Sequence, residues 1–131
     1  MKILVVEDDF KNRKLLQSQL SLFGECDTAV DGEEAILAFR MSLDNQQPYD
    51  LICMDIRMPN IDGKEALRKI RQIENESGYQ DEDKVKVIMT TALDDAEAVV
   101  ESYKEGATAY LVKPITKKKL VEELLRMDLI N

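Results

Sequence analysis

A chain of 131 residues, 44% hydrophobic and 34% charged, has apolar material for one core and lacks the long apolar run that spans a bilayer. A net charge of −8 argues against a nonspecific hold on nucleic acid phosphates. The complete lack of histidine removes Ser-His-Asp and Cys-His catalysis and, with only two cysteines, the usual zinc ligand sets, so any chemistry must run on carboxylates, hydroxyls and lysine.

Lys2 to Val6 is a β-rich apolar run that stops at Glu7-Asp8-Asp9, too short for the core of a signal peptide. From Phe10 the spacing turns helical, with Leu15, Leu16, Leu20 and Phe23 on one face before Gly24. Cys26 to Val30 reads as a second strand. Asp31-Gly32-Glu33-Glu34 then opens a helix carrying Ala35, Ile36, Phe39 and Leu43, which Asn45-Gln46-Gln47-Pro48 breaks. Tyr49 to Met54 is the third strand, Arg57 to Gly63 a loop, and Lys64 onward a helix with Leu67, Ile70 and Ile73 inward.

The acidic stretch Glu74 to Lys84 reads as a polar connection. Val85 to Met89 is fit for a buried strand, and Asp94-x-x-Glu97 resembles a capping box for a helix with Ala98, Val99 and Tyr103, ended by Gly106. Thr108 to Val112 is the fifth strand, Lys113-Pro114 a turn, and Thr116 the cap of a last helix bearing Leu120, Leu124 and Met127. Cys26 and Cys53 lie in apolar runs and read as core fillers. Five strand-helix units with near-continuous apolar strands predict one α/β domain, doubly wound, its parallel sheet covered on both faces.

In such a sheet, ligands bind outside the carboxyl ends of the strands. Those ends carry Glu7 and Asp8, Asp55, Thr91 and Lys113. Singly each has a plain structural reading: an acidic helix start, a turn lysine, a local hydroxyl. Together, three carboxylates at one locus repel one another unless a cation relieves them, and oxygen donors without sulfur or imidazole select a hard ion such as Mg²⁺, with Asp8 and Asp55 as direct ligands. An Asp carboxylate relieved in this way can attack phosphorus while the Lys113 ammonium and the Thr91 hydroxyl hold the phosphoryl oxygens.

Ile3-Leu4-Val5-Val6-Glu7-Asp8-Asp9, Met54-Asp55-Ile56-Arg57-Met58-Pro59-Asn60-Ile61-Asp62-Gly63, Thr91-Ala92, and Gly106-Ala107 through Tyr110-Leu111-Val112-Lys113-Pro114 stand in a specific order. By these runs the chain resembles a CheY-like response-regulator receiver domain of two-component signalling, over nearly all of its length. The resemblance implies a flavodoxin-like (βα)5 fold, a five-stranded parallel sheet of order 2-1-3-4-5, and Asp55 as phosphoacceptor. It implies Mg²⁺, with Mn²⁺ as a substitute, held by Asp8, Asp55, the Arg57 backbone carbonyl and, through water, Glu7. It also implies phosphoryl contacts from Thr91 and Lys113, a switch in which Tyr110 follows Thr91, and a cis Lys113-Pro114 bond. Asp9 is open between the acidic site and a helix cap. Arg57 and Leu93 flank the site and are expected to tune the lifetime of the modified state.

The expected function is a phosphorelay switch: Asp55 takes a phosphoryl group from the phosphohistidine of a histidine kinase or histidine phosphotransfer protein. The face formed by the fourth helix, fifth strand and fifth helix then changes its preference for a downstream protein. The expected whole is residues 1–131 as one cytoplasmic receiver domain without an effector domain in this chain, not an enzyme turning over free substrate, with no direct nucleic acid or membrane contact, as a monomer or phosphorylation-dependent dimer. Two alternatives compete. A small Mg²⁺-dependent phosphatase or phosphotransferase with an Asp nucleophile would need a substrate pocket. A flavodoxin-like flavin carrier would need phosphate-binding amides and hydroxyls where Glu7-Asp8-Asp9 would repel the phosphate.

Overall fold

The computed structural model describes residues 1–92 and 94–131. Five strands, β1 (Lys2–Val6), β2 (Glu25–Ala29), β3 (Leu51–Asp55), β4 (Lys86–Thr91) and β5 (Ala109–Val112), alternate with α1 (Phe10–Leu20), α2 (Gly32–Asp44), α3 (Gly63–Glu76), α4 (Ala96–Lys104) and α5 (Lys117–Arg126). All neighbouring strands pair in parallel, in the order β2-β1-β3-β4-β5, the flavodoxin-like arrangement that the resemblance implied. Successive strand side chains point to opposite faces. Leu4, Val6, Ile52, Met54, Val87 and Met89 therefore pack with α2, α3 and α4, whereas Ile3, Val5, Leu51, Cys53, Ile88 and Leu111 pack with α1 and α5. This two-sided burial explains why the central strands read as unbroken apolar runs.

Side-chain caps fix where four helices start. Asp9, Asp31, Asp62 and Thr116 accept from the backbone N–H groups of Asn12, Glu34, Glu65 and Lys119, three residues on in each case. Asp9 thus serves as a cap. The capping box expected at Asp94 does not form: α4 begins at Ala96 with Asp95 in the cap position, and the Asp95 side chain makes no capping bond.

Two further differences have simple causes. Leu15, expected on the buried face of α1, is 53% exposed, because Leu16 and Leu20 alone take the core-facing positions of that helix and Leu15 lies one residue around from them. Phe23 falls beyond the helix end and packs on the core from the turn.

The acidic connection also starts later than its polarity suggested. Helix α3 continues to Glu76, and Glu74 is buried. Its carboxylate accepts from the Val85 N–H at 2.7 Å and from Arg71 Nη1 at 2.7 Å. Arg71 also donates to the Val85 carbonyl and, through Nε and Nη2, to the Gly106 carbonyl at 3.1 and 2.9 Å. One buried ion pair therefore ties the end of α3 to the start of β4 and to the turn after α4. Only the remainder, including a 3₁₀ turn at Asp81–Asp83, behaves as solvent-facing connection.

Tyr49 precedes β3 rather than opening it; its hydroxyl donates to Asp27 Oδ2 at 2.7 Å, and the Lys2 ammonium lies 4.8 Å from its ring centre.

Replacing Glu74 with Ala leaves the Val85 N–H without its acceptor and strips Arg71 of its counter-charge, so Glu74→Ala is expected to lower stability by about 3 kcal/mol, read as a lower urea midpoint at unchanged slope. Burial, and secondarily the bond to Asp27, hold the Tyr49 phenol above its ordinary value of 10.0. The protonated phenol is thus favoured in the fold, and its contribution is complete below pH 10.0 and lost as pH rises through the raised value. Urea midpoints followed from about pH 9 to about pH 12 should fall less steeply for Tyr49→Phe than for the parent chain.

Candidate functional site

Parallel pairing brings the C-terminal ends of β1, β3, β4 and β5 to one edge of the sheet, and each places a chemically distinct group there. Val6 pairs with Met54, Asp55 with Thr90, and Thr91 with Val112, so Glu7, Asp55, Thr91 and Lys113 follow from adjacent registers. Carboxylate oxygens of Glu7, Asp8 and Asp55 all lie within 4.8 Å of one another. Glu7 and Asp55 are buried and Asp8 is exposed at the rim.

Lys113 occupies the middle of this group: its ammonium donates to Glu7 Oε1 at 2.7 Å and to Asp55 Oδ2 at 3.0 Å. The Lys113-Pro114 peptide is cis, as the resemblance implied.

Backbone groups complete the frame. The Arg57 N–H donates to Asp55 Oδ1 at 3.3 Å, and the Asp9 N–H donates to Glu7 Oε2 at 3.1 Å. Arg13, one turn into α1, holds the Glu7 and Asp8 carbonyls through Nη1 at 2.8 and 3.3 Å. In the loop after β3, Asn60 has a φ of +66°, the left-handed region that Asn tolerates better than most residues. Gly63 closes that loop with its N–H on the Ile56 carbonyl at 2.8 Å. A Cβ at Gly63 would stand 2.3 Å from the Asp55 carbonyl oxygen, so a glycine is required for α3 to begin this close to the third strand.

The charges in this cleft interact. Partial burial first, then the neighbouring Glu7 carboxylate, raise the Asp8 carboxyl above its ordinary range. Burial by itself would lower the Lys113 ammonium, but its bonds to Glu7 and Asp55 outweigh that and hold it above 10.5. A single ammonium thus faces three carboxylate side chains. The donor set is wholly oxygen and hard, which fits a cation such as Mg²⁺ rather than zinc or copper, and the close spacing of the carboxylates suits a shared ion.

Thr91 is buried, and its hydroxyl is turned to the Ala92 carbonyl at 3.4 Å. Tyr110, on β5, is 41% exposed and meets Tyr103 edge to face with ring centres 6.0 Å apart. The structure accordingly brings Glu7, Asp8, Asp55 and Lys113 together, sets Thr91 beside them on β4, and holds the Tyr110 ring outward. Leu93 lies outside the described residues. Two participants left no trace in the pattern of residues: Arg13, which reads as one more charge on α1, and Asp95, whose partner Arg57 is 38 positions away.

The family model described as "Response regulator receiver domain" matches residues 3–125. The chain belongs to this family. Among curated relatives, the probable transcriptional regulator ycf27 of Cyanophora paradoxa is 36% identical over 129 residues, 95% of this chain and 48% of that protein. The hybrid signal transduction histidine kinase I of Dictyostelium discoideum is 38% identical over 126 residues, covering 92% of this chain and 7% of that one. This receiver domain therefore spans about half the length of the ycf27 regulators it matches. Among solved structures, a chain of the CheX-CheY-BeF3-Mg+2 complex from Borrelia burgdorferi superposes with a TM-score of 0.81 at 28% identity, covering 100% of this chain and 90% of that one. Among the described residues no helix is long and apolar enough to cross a membrane.

Gly63→Ala drives a methyl group into the backbone that presents Asp55. This receiver domain should lose about 2 kcal/mol or more, a fall on the order of 5–10 °C in the thermal unfolding midpoint.

Proposed function

We propose that this receiver domain is a phosphoacceptor switch in which Asp55 takes a phosphoryl group from a phosphohistidine. The observation that carries the reading is the Lys113 ammonium bridging the buried Glu7 and Asp55 carboxylates at 2.7 and 3.0 Å. A structural ion pair needs one carboxylate, whereas the second, with Asp8 alongside, makes an excess of negative charge that a hard cation and an incoming phosphoryl group can use. Mg²⁺, or Mn²⁺ in its place, would be held by Asp8, Asp55 and the Arg57 carbonyl, with Glu7 acting through water. When bound it supplies positive charge against the phosphoryl oxygens.

The chain's own residues perform the rest. An Asp55 carboxylate oxygen attacks phosphorus, the P–N bond of the donor histidine breaks as the P–O bond forms, and the imidazole leaves with the electron pair and takes up a proton. Lys113 gives up part of its hold on Asp55 to stabilise a phosphoryl oxygen, and the Thr91 hydroxyl leaves the Ala92 carbonyl for another. Tyr110 then moves into the space that Thr91 vacates, and the α4-β5-α5 face changes shape for a downstream protein.

The donor would be a histidine kinase or histidine phosphotransfer protein, in keeping with the hybrid histidine kinase among the relatives. Residues 1–131 form one receiver domain on this reading, acting in the cytoplasm, and the output rests on binding rather than on turnover.

Incubation with acetyl phosphate and Mg²⁺ should add one phosphoryl group by intact-protein mass spectrometry, with none on Asp55→Asn and none in excess chelator. Modification of Asp55→Asn to the same extent, or indifference to the divalent ion, would overturn the proposal.

A further inference from the structure

Arg57 stands two residues after Asp55, and its side chain turns away from the acidic cluster. Its guanidinium grips the Asp95 carboxylate with two bonds, Nε to Oδ2 at 2.8 Å and Nη2 to Oδ1 at 3.0 Å. The carboxylate side of the pair is largely sheltered, 17% exposed. Asp95 holds the cap position of α4 yet spends its carboxylate on Arg57 and makes no side-chain capping bond to the helix N-terminus. The pair therefore joins the loop that follows Asp55 to the helix that follows Thr91.

Among the described residues, helix α4 has a small apolar footing. Ala98 and Ser102 are its buried residues, while Val100 and Tyr103 face outward. Its other ties to α3 are polar as well: Lys64 pairs with Glu101, and Arg71 bonds the Gly106 carbonyl just past the helix end. A helix that sets only Ala98 and the half-buried Val99 on the core and is otherwise clasped by charges can shift at low cost once a clasp opens. The Arg57–Asp95 pair is the clasp at the end nearest the phosphoacceptor. It coexists with Thr91 bonded to its own neighbour and with Tyr110 edge-on to Tyr103, the arrangement that the proposed function assigns to the domain before modification.

We infer that the Arg57–Asp95 ion pair is a latch that holds α4 in the unmodified conformation, making Arg57 and Asp95 positioning residues that set how readily the domain enters its modified state. This rests on the phosphoacceptor reading above. Opening the latch frees the Asp95 carboxylate for a capping bond, which offsets part of the lost ion pair and keeps the two conformations close in energy. The metal contact proposed for Arg57 is made by its backbone carbonyl, which every side-chain substitution retains.

The test is a double-mutant cycle on the intact chain, read by titration with beryllium fluoride at saturating Mg²⁺. Arg57→Ala and Asp95→Asn should each lower the half-saturating concentration about 2–5-fold, the combined variant should gain no more than either alone, and the charge-swapped pair Arg57→Asp with Asp95→Arg should return toward the parent value. Unfolding midpoints of the single variants should fall or stay level while the adduct tightens, which simple damage to the fold would not produce. Single variants that titrate like the parent, titrate more weakly, or combine additively overturn the latch. A parent chain that forms no adduct, or an Asp55→Asn chain that forms it equally well, overturns the phosphoacceptor reading itself.

Discussion

Three carboxylates crowded at one sheet edge are tolerable because an ammonium sits among them. Lys113 reaches across from the end of β5 to Glu7 just after β1 and to Asp55 on β3, contacts between residues 106 and 58 positions apart. Like charges at this spacing would otherwise force protonation or open the cleft. Every other element near the site serves to keep that balance: the parallel registers that align four strand ends, the Asp9 and Asp62 caps that start helices immediately beyond them, and Gly63, which lets α3 approach the Asp55 backbone.

The sheet is anchored differently at its two ends. At the opposite edge, Glu74 and Arg71 form a saturated buried network that fixes α3, the start of β4 and the turn after α4 to one another. At the site edge the polar groups retain capacity. The Thr91 hydroxyl makes only a long bond to its own neighbour, and α4 is clasped by ion pairs rather than by a broad apolar face. Buried, fully paired networks rigidify, whereas exposed pairs are each worth little and exchange easily. The molecule is therefore built to be stiff where the helices return to the sheet and adjustable beside the acidic cluster.

Much of this was legible in the residues. Apolar runs located β1, β3 and β4, because a strand buried on both faces leaves an unbroken apolar signature, whereas the edge strands β2 and β5 followed from their place in the strand-helix alternation. The acidic cluster could be anticipated because an α/β sheet of this kind collects its strand ends at one edge. Leu15 and Glu74 could not be assigned correctly from pattern. An apolar residue just off the buried stripe looks like part of it, and a glutamate at the end of a helix looks solvated until the backbone N–H it accepts from is in place. Asp94-x-x-Glu97 misplaced the start of α4 for a related reason: Asp95 takes the cap position and its carboxylate has a better-charged partner in Arg57.

What the sequence determined by itself was the set of elements, their two-layered wrapping of a parallel sheet and the identity of the groups at its carboxyl edge, since all three follow from local periodicity and from one general rule about such sheets. What only the tertiary structure decided was pairing: which carboxylates share the lysine, which arginine is consumed by the fold and which grips α4, and which aspartate caps a helix. Pairing depends on distances between residues tens of positions apart, and a charge in a sequence carries no record of the partner that folding will set beside it.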